Sequence, residues 1–177
     1  MPVRTHGAEE THALGVALGL SARPGDVLWL HGELGAGKTA LTAGMAAGLQ
    51  GGDPVSSPSF ALIHEYRRGR LPLFHIDLYR LDSPAALDLG LEDYLEDEGV
   101  TVIEWGERLP ERFFPDGLAI TITFVEDAAD DRDLTLRPRG PAGREWLERY
   151  NRARNRPDPS DLSDVSDSSD TSDEYEY

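Results

Sequence analysis

Apolar positions along the chain fall into short blocks whose spacing alternates between helical and strand-like. Residues Ala8–Leu20 carry Leu14, Val16, Leu18 and Leu20, which predicts a short helix that Thr11 can cap. Arg23-Pro24-Gly25-Asp26 is a turn signal. Val27-Leu28-Trp29-Leu30-His31 is a nearly continuous apolar run, the pattern of a strand covered on both faces. A glycine-rich segment follows, then an Ala/Leu-rich helix over about Lys38–Leu49. Phe60–Tyr66 and Leu71–Ile76 predict two strands joined by Arg67-Arg68-Gly69-Arg70, hence an antiparallel hairpin. Pro84–Glu98 predicts one or two short helices, and Val100–Ile103 another buried strand ending at Glu104. Leu118–Val125 and Leu134–Arg137 form a second predicted strand pair, and Gly143–Arg154 a charged closing helix. The expected architecture is an α/β sandwich with a mostly parallel central sheet and antiparallel additions.

Composition changes this picture mainly at the C-terminus. The net charge is −16, but eight acidic residues and no Lys or Arg lie between Pro157 and Tyr177, where Ser-Asp pairs recur every third residue. Such a segment cannot bury enough apolar surface to order itself, so residues 157–177 are expected to be a disordered tail on a domain spanning 1–156. That domain carries 17 basic and 25 acidic side chains and no basic stripe, which argues against direct DNA or RNA binding. Any RNA chemistry would need another protein to hold the RNA. The chain has no cysteine, which excludes disulfides and thiolate chemistry. No apolar run approaches the roughly 20 residues that span a bilayer, and Met1–Gly7 lacks a signal-peptide core, so a cytoplasmic location is expected.

Gly32-Glu33-Leu34-Gly35-Ala36-Gly37-Lys38-Thr39 satisfies the phosphate-loop pattern in full, with a predicted strand before it and a helix after it. Glycines let backbone N–H groups converge on phosphate oxygens, and the helix adds its free N–H groups, Ala40 among the first residues. Lys38, the sole lysine in the chain, supplies a point charge to the β- and γ-phosphates, and the Thr39 hydroxyl ligates magnesium. The motif sharpens the fold expectation to a three-layer sandwich of the P-loop NTPase type. Asp77 and Glu104 follow predicted buried strands, where open α/β sheets form their ligand crevice. Each reads either as a magnesium-linked acid or as a solvated strand end. His75 reads as a half-buried strand residue rather than a base.

The order of Gly32–Thr39, Ser57-Pro58-Ser59-Phe60, His75-Ile76-Asp77-Leu78-Tyr79-Arg80-Leu81 and Val102-Ile103-Glu104-Trp105 closely resembles the TsaE (YjeE) family of small bacterial ATPases. Thr11…Leu14-Gly15 and Leu89-Gly90-Leu91…Tyr94 fit the same family. The resemblance implies binding and slow hydrolysis of ATP with Mg²⁺ and action on a TsaB–TsaD complex. Those partners would transfer the threonylcarbamoyl group to the adenosine beside the tRNA anticodon. It further implies Thr39 and Glu104 at magnesium, with Asp77 near the metal or the attacking water. Ser57-Pro58-Ser59 would form a switch loop near the γ-phosphate, and the adenine would lie near Thr11. Ser59 stands where the family usually has Thr, keeping the hydroxyl and losing a methyl. Arg80 would touch phosphate or a partner, and Trp105 would pack.

Two other readings share the loop. A small-molecule kinase would need arginines such as Arg132, Arg137 or Arg139 over an acceptor pocket. A nucleotide-gated interaction module would bind ATP without turnover. The absence of any lysine after Lys38 for an N-K-x-D motif argues strongly against a GTP switch.

Overall fold

Strand β2, Val27–His31, sits in the middle of the molecule because it can be buried on both faces. Leu28 and Leu30 point to one side and Trp29 to the other, all three inaccessible to solvent. In this computed structural model, which describes residues 1–58, 60–81, 89–95, 98–110 and 116–155, β2 pairs in parallel with β5 (Val100–Glu104) and β6 (Gly117–Val125). A further parallel neighbour, β4 (Leu73–Asp77), lies beyond β5. Antiparallel strands close both edges: β3 (Ile63–Tyr66) on β4, and β7 (Ala128–Arg139) with β1 (Pro2–His6) on β6. The sheet order is β1-β7-β6-β2-β5-β4-β3. The α/β class and the 60–76 hairpin agree with the sequence reading. The "mostly parallel" expectation is only half met, because three strand pairs are parallel and three antiparallel.

Helices α1 (Ala8–Ser21), α2 (Lys38–Gly48) and α4 (Gly140–Arg154) cover the face that presents Leu28, Leu30, Val102 and Ile120. The opposite face, with Trp29, Ile76 and Ile103, is covered among the described residues by the short helix α3 (Leu91–Leu95) and by Leu109 after a 3₁₀ turn at Gly106–Arg108. The three layers are therefore unequal. Of the predicted 84–98 helical region, residues 89–95 and 98 are described and carry the one helix α3, and the 157–177 tail and Ser59 lie outside the described residues. No helix among the described residues is long and apolar enough to cross a membrane.

Thr11 does not cap α1. Gly7 occupies that position, and the Thr11 hydroxyl instead donates to the Gly7 carbonyl at 3.1 Å and meets the Thr5 hydroxyl at 2.8 Å. Helices α1 and α2 touch backbone to backbone through four glycines. A Cβ added at Gly15, Gly19, Gly44 or Gly48 would stand 2.1, 2.4, 2.0 or 2.2 Å from a carbonyl oxygen of the facing helix. This contact fixes the depth at which α2 carries the end of the glycine loop.

Candidate functional site

The loop after β2 lies at the carboxyl ends of the parallel strands, and two carboxylates arrive there from neighbouring strands. Asp77 ends β4, Glu104 ends β5, and the two are register partners. Both are buried and both project to the face that α2 covers, since Leu73, His75 and Asp77 alternate with Phe74 and Ile76. Gly32 leaves β2 with φ 147° and lies so close to β6 that a Cβ would come within 2.6 Å of the Ile122 carbonyl. Gly37 takes φ 110° at the N-cap of α2, a conformation side chains disfavour. Lys38 and Thr39 then open the helix, and a cleft of about 400 Å³ forms between them, Ser57, Asp77, Glu104 and Trp105.

Within the cleft the polar groups are linked. Lys38 Nζ donates to the carbonyls of Gly32 (2.8 Å) and Glu33 (2.9 Å) and lies 4.1 Å from the centroid of the Trp105 ring, a cation–π contact. Burial pulls the Lys38 ammonium below its usual pKa, while Glu104, Glu107 and Asp77 pull it back up. Thr39 Oγ1 donates to Glu104 Oε1 at 3.1 Å, and His75 Nε2 lies 2.8 Å from the same oxygen. Asp77 accepts from Ser57 Oγ (3.0 Å) and from the Tyr79 backbone N–H (2.9 Å). Behind Lys38, burial pushes Glu107 up, but hydrogen bonding to His31 Nδ1 at 2.8 Å, with the His31 and Lys38 charges, holds it below the usual carboxylate range. A second depression of about 160 Å³ lies across the loop, bounded by Gly7, Thr11, Ala36, Asp130 and Arg132. Arg132 Nε donates to the Ala36 carbonyl at 3.2 Å, and its guanidinium stacks 4.4 Å from the Phe124 ring.

The family profile described as "Threonylcarbamoyl adenosine biosynthesis protein TsaE" matches residues 5–134, which takes in every residue of both depressions. The chain belongs to the TsaE family. A Bacillus subtilis "tRNA threonylcarbamoyladenosine biosynthesis protein TsaE" is 43% identical over 133 residues, 75% of this chain and 82% of that protein. A Nostoc protein of the same name is 48% identical over 132 residues, covering 72% and 80%. The crystal structure of Bacillus YdiB superposes with a TM-score of 0.71 at 37% identity over 88% of this chain and 96% of that one. The Bacillus TsaE and Nostoc proteins carry the name of tRNA threonylcarbamoyladenosine biosynthesis. The sequence resemblance to TsaE and the α/β fold are thereby borne out.

Several residues singled out in the TsaE-like pattern meet at one place. Leu34, Gly35, Gly37, Lys38, Thr39, Ala40, Asp77 and Glu104 all border the larger cleft, while Gly32 and Glu33 contribute carbonyls beneath it. Thr11 belongs to the second depression, which Gly35, Ala36, Gly37 and Ala40 also line. Arg80 does not border the cleft; it stacks 4.5 Å over Phe60, which is 89% exposed. Trp105 is more than packing, since its ring faces Lys38. It adopts φ 60°, rare for a non-glycine residue, where the chain turns from β5 into the 3₁₀ turn. His75, read as half-buried, is fully buried. The signal for it was present: an imidazole inside the run Leu73-Phe74-His75-Ile76. Arg132 and Asp130 carried no sequence signal as loop partners, because β7 lies almost 100 residues from the loop.

Proposed function

We propose that this chain binds ATP with magnesium at Gly32–Thr39 and hydrolyses it slowly, as an accessory to threonylcarbamoyladenosine modification of tRNA beside the anticodon. The observation that carries this reading is the meeting of Lys38, Thr39, Glu104 and Asp77 around one cleft at the strand carboxyl ends. In it, Lys38 turns from the Gly32 and Glu33 carbonyls to the β- and γ-phosphates, and the loop N–H groups hold the remaining oxygens. The nucleoside end lies in the depression beside Thr11 and Arg132. Thr39 and Glu104 form a hard-oxygen pair suited to magnesium, with Asp77 adjacent. Magnesium held by these oxygens would offset the negative charge that builds on the transferring phosphoryl group. Asp77, fixed by Ser57 and the Tyr79 N–H, orients the attacking water. Leu34 and Tyr79 on the rim are 70% and 37% exposed, an open mouth that supports low basal turnover and completion by TsaB–TsaD. None of Arg132, Arg137 and Arg139 lines this cleft among the described residues, which weighs against the kinase alternative.

A Glu104→Ala protein is expected to keep nucleotide binding within about tenfold and to lose about 10²–10³ in turnover, the scale of one removed electrostatic contact. Single-turnover ATP hydrolysis beside a calorimetric titration checks this; unchanged hydrolysis removes Glu104 from the mechanism. Arg132→Ala is expected to weaken ATP binding about tenfold, near 1.4 kcal/mol, at unchanged turnover under saturation. A lowered kcat with unchanged KM would place Arg132 elsewhere.

A further inference from the structure

His75 is the one described residue with a buried side-chain polar atom, Nδ1, that has no hydrogen-bond partner. Its strand neighbours Leu73, Phe74 and Ile76 fill their layers with apolar groups. An apolar side chain would pack in the same layer and leave nothing unpaired, so packing alone gives no reason for an imidazole here. The ring's other nitrogen supplies the reason. Nε2 lies 2.8 Å from Glu104 Oε1, the oxygen that also accepts from Thr39 Oγ1 at 3.1 Å. Facing a carboxylate, the ring must carry its proton on Nε2 to make an attractive contact, which leaves Nδ1 as the orphaned acceptor. Thr39 from α2 and His75 from β4 thus grip one oxygen of a carboxylate that β5 presents. With both donors in place, Glu104 has one direction; with Thr39 alone, it can swing.

Resting on the magnesium-nucleotide reading above, we propose that His75 is the positioning residue of the metal carboxylate, holding Glu104 by an Nε2–H donor so that the cleft is set before magnesium arrives. His75 touches neither nucleotide nor metal. Partners of this kind, one bond removed from the metal, typically change metal affinity by about 10–100-fold when lost.

Three substitutions separate positioning from packing. His75→Leu fills the space without a donor. His75→Gln places an amide N–H near the reach of Nε2, and His75→Asn places one near Nδ1 instead. The measurement is the Mg²⁺ concentration for half-maximal enhancement of ADP binding, followed by Trp105 fluorescence, together with ADP affinity in chelator and thermal melting. Leu and Asn are expected to raise the Mg²⁺ requirement about 10–100-fold, with ADP affinity in chelator within about twofold of the parent. Gln is expected to stay within about threefold, and Leu to melt no lower than the parent, since it removes an orphaned nitrogen. A Leu protein that folds with the parental Mg²⁺ requirement overturns the proposal. If Leu does not fold, equal requirements for Gln and Asn overturn it. A parent protein that shows no Mg²⁺-dependent nucleotide binding would sink the function proposed above and this inference with it, whereas parental binding with insensitive variants sinks the inference alone.

Discussion

Replacing Lys38 by Ala is expected to weaken Mg–ATP binding by about thirtyfold or more, the cost of about 2–5 kcal/mol for truncating one side of a buried charge contact. The cleft offers no substitute. No other Lys or Arg borders it among the described residues, and Lys38 is the only lysine of the chain. The ammonium is already withdrawn from water by the Gly32 and Glu33 carbonyls and the Trp105 ring, and its pKa is pulled down by burial. A phosphate therefore meets a cation that has shed much of its hydration, and the attraction is stronger than at a surface. The melting temperature should move far less than the affinity, because the loop glycines and the α1–α2 contact remain. Calorimetric titration of the Lys38→Ala protein with Mg–ATP measures the effect directly, and parental affinity would mean that phosphate is bound elsewhere.

The largest stability effect is expected at the crossing of the two helices that flank the loop. Gly44→Ala puts a Cβ 2.0 Å from the His12 carbonyl oxygen and 3.0 Å from the Gly15 Cα, atoms that cannot move unless the helices part. Overpacking costs about 1–3 kcal/mol where side chains can shift, and the upper end or beyond applies where only backbone is met. At about 3 kcal/mol, a domain of this size loses about 6–12 °C in melting temperature. Gly52→Ala is the matched control: nothing lies within 4 Å of its added Cβ, and its effect should stay within about 0.5 kcal/mol. Thermal melts of the two variants side by side decide the matter, and equal melting points would show that the helices separate at little cost. Since α2 begins at Lys38, parting the helices also displaces the loop.

What the chain discloses by itself follows from how local each signal is. Gly32–Thr39 is eight consecutive residues between an apolar strand and a helix, and the predicted strand and helix stand in the structure on either side of that loop. Asp77 and Glu104 are legible for a related reason: each ends a run that must be buried on both sides, and such runs lead to the same edge of a parallel sheet. Strand β1 is missed because Pro2–His6 has a single neighbour, β7, and only Thr5 is buried, so its polar side chains show no strand periodicity. The first half of β7 is hidden likewise, as Ala128–Asp133 is half-exposed and tied to β1 by Arg4–Asp133 and His6–Asp131 pairs. Contacts that cross the sheet leave no trace along the chain. Arg132 at the Ala36 carbonyl, Trp105 over Lys38 and His75 beneath Glu104 each join elements far apart in sequence. The glycines of α1 and α2 belong with these, for Gly15 and Gly44 look like helix weaknesses until the partner helix is seen.

The most direct test of the account is ATP hydrolysis by the purified chain, alone and with TsaB–TsaD, with tRNA modification followed over several turnovers. The account predicts low hydrolysis alone, stimulation by the two partners, and repeated modification only when the Gly32–Thr39 loop is intact. Hydrolysis that the partners leave unchanged, together with modification that proceeds equally well without this chain, would contradict it.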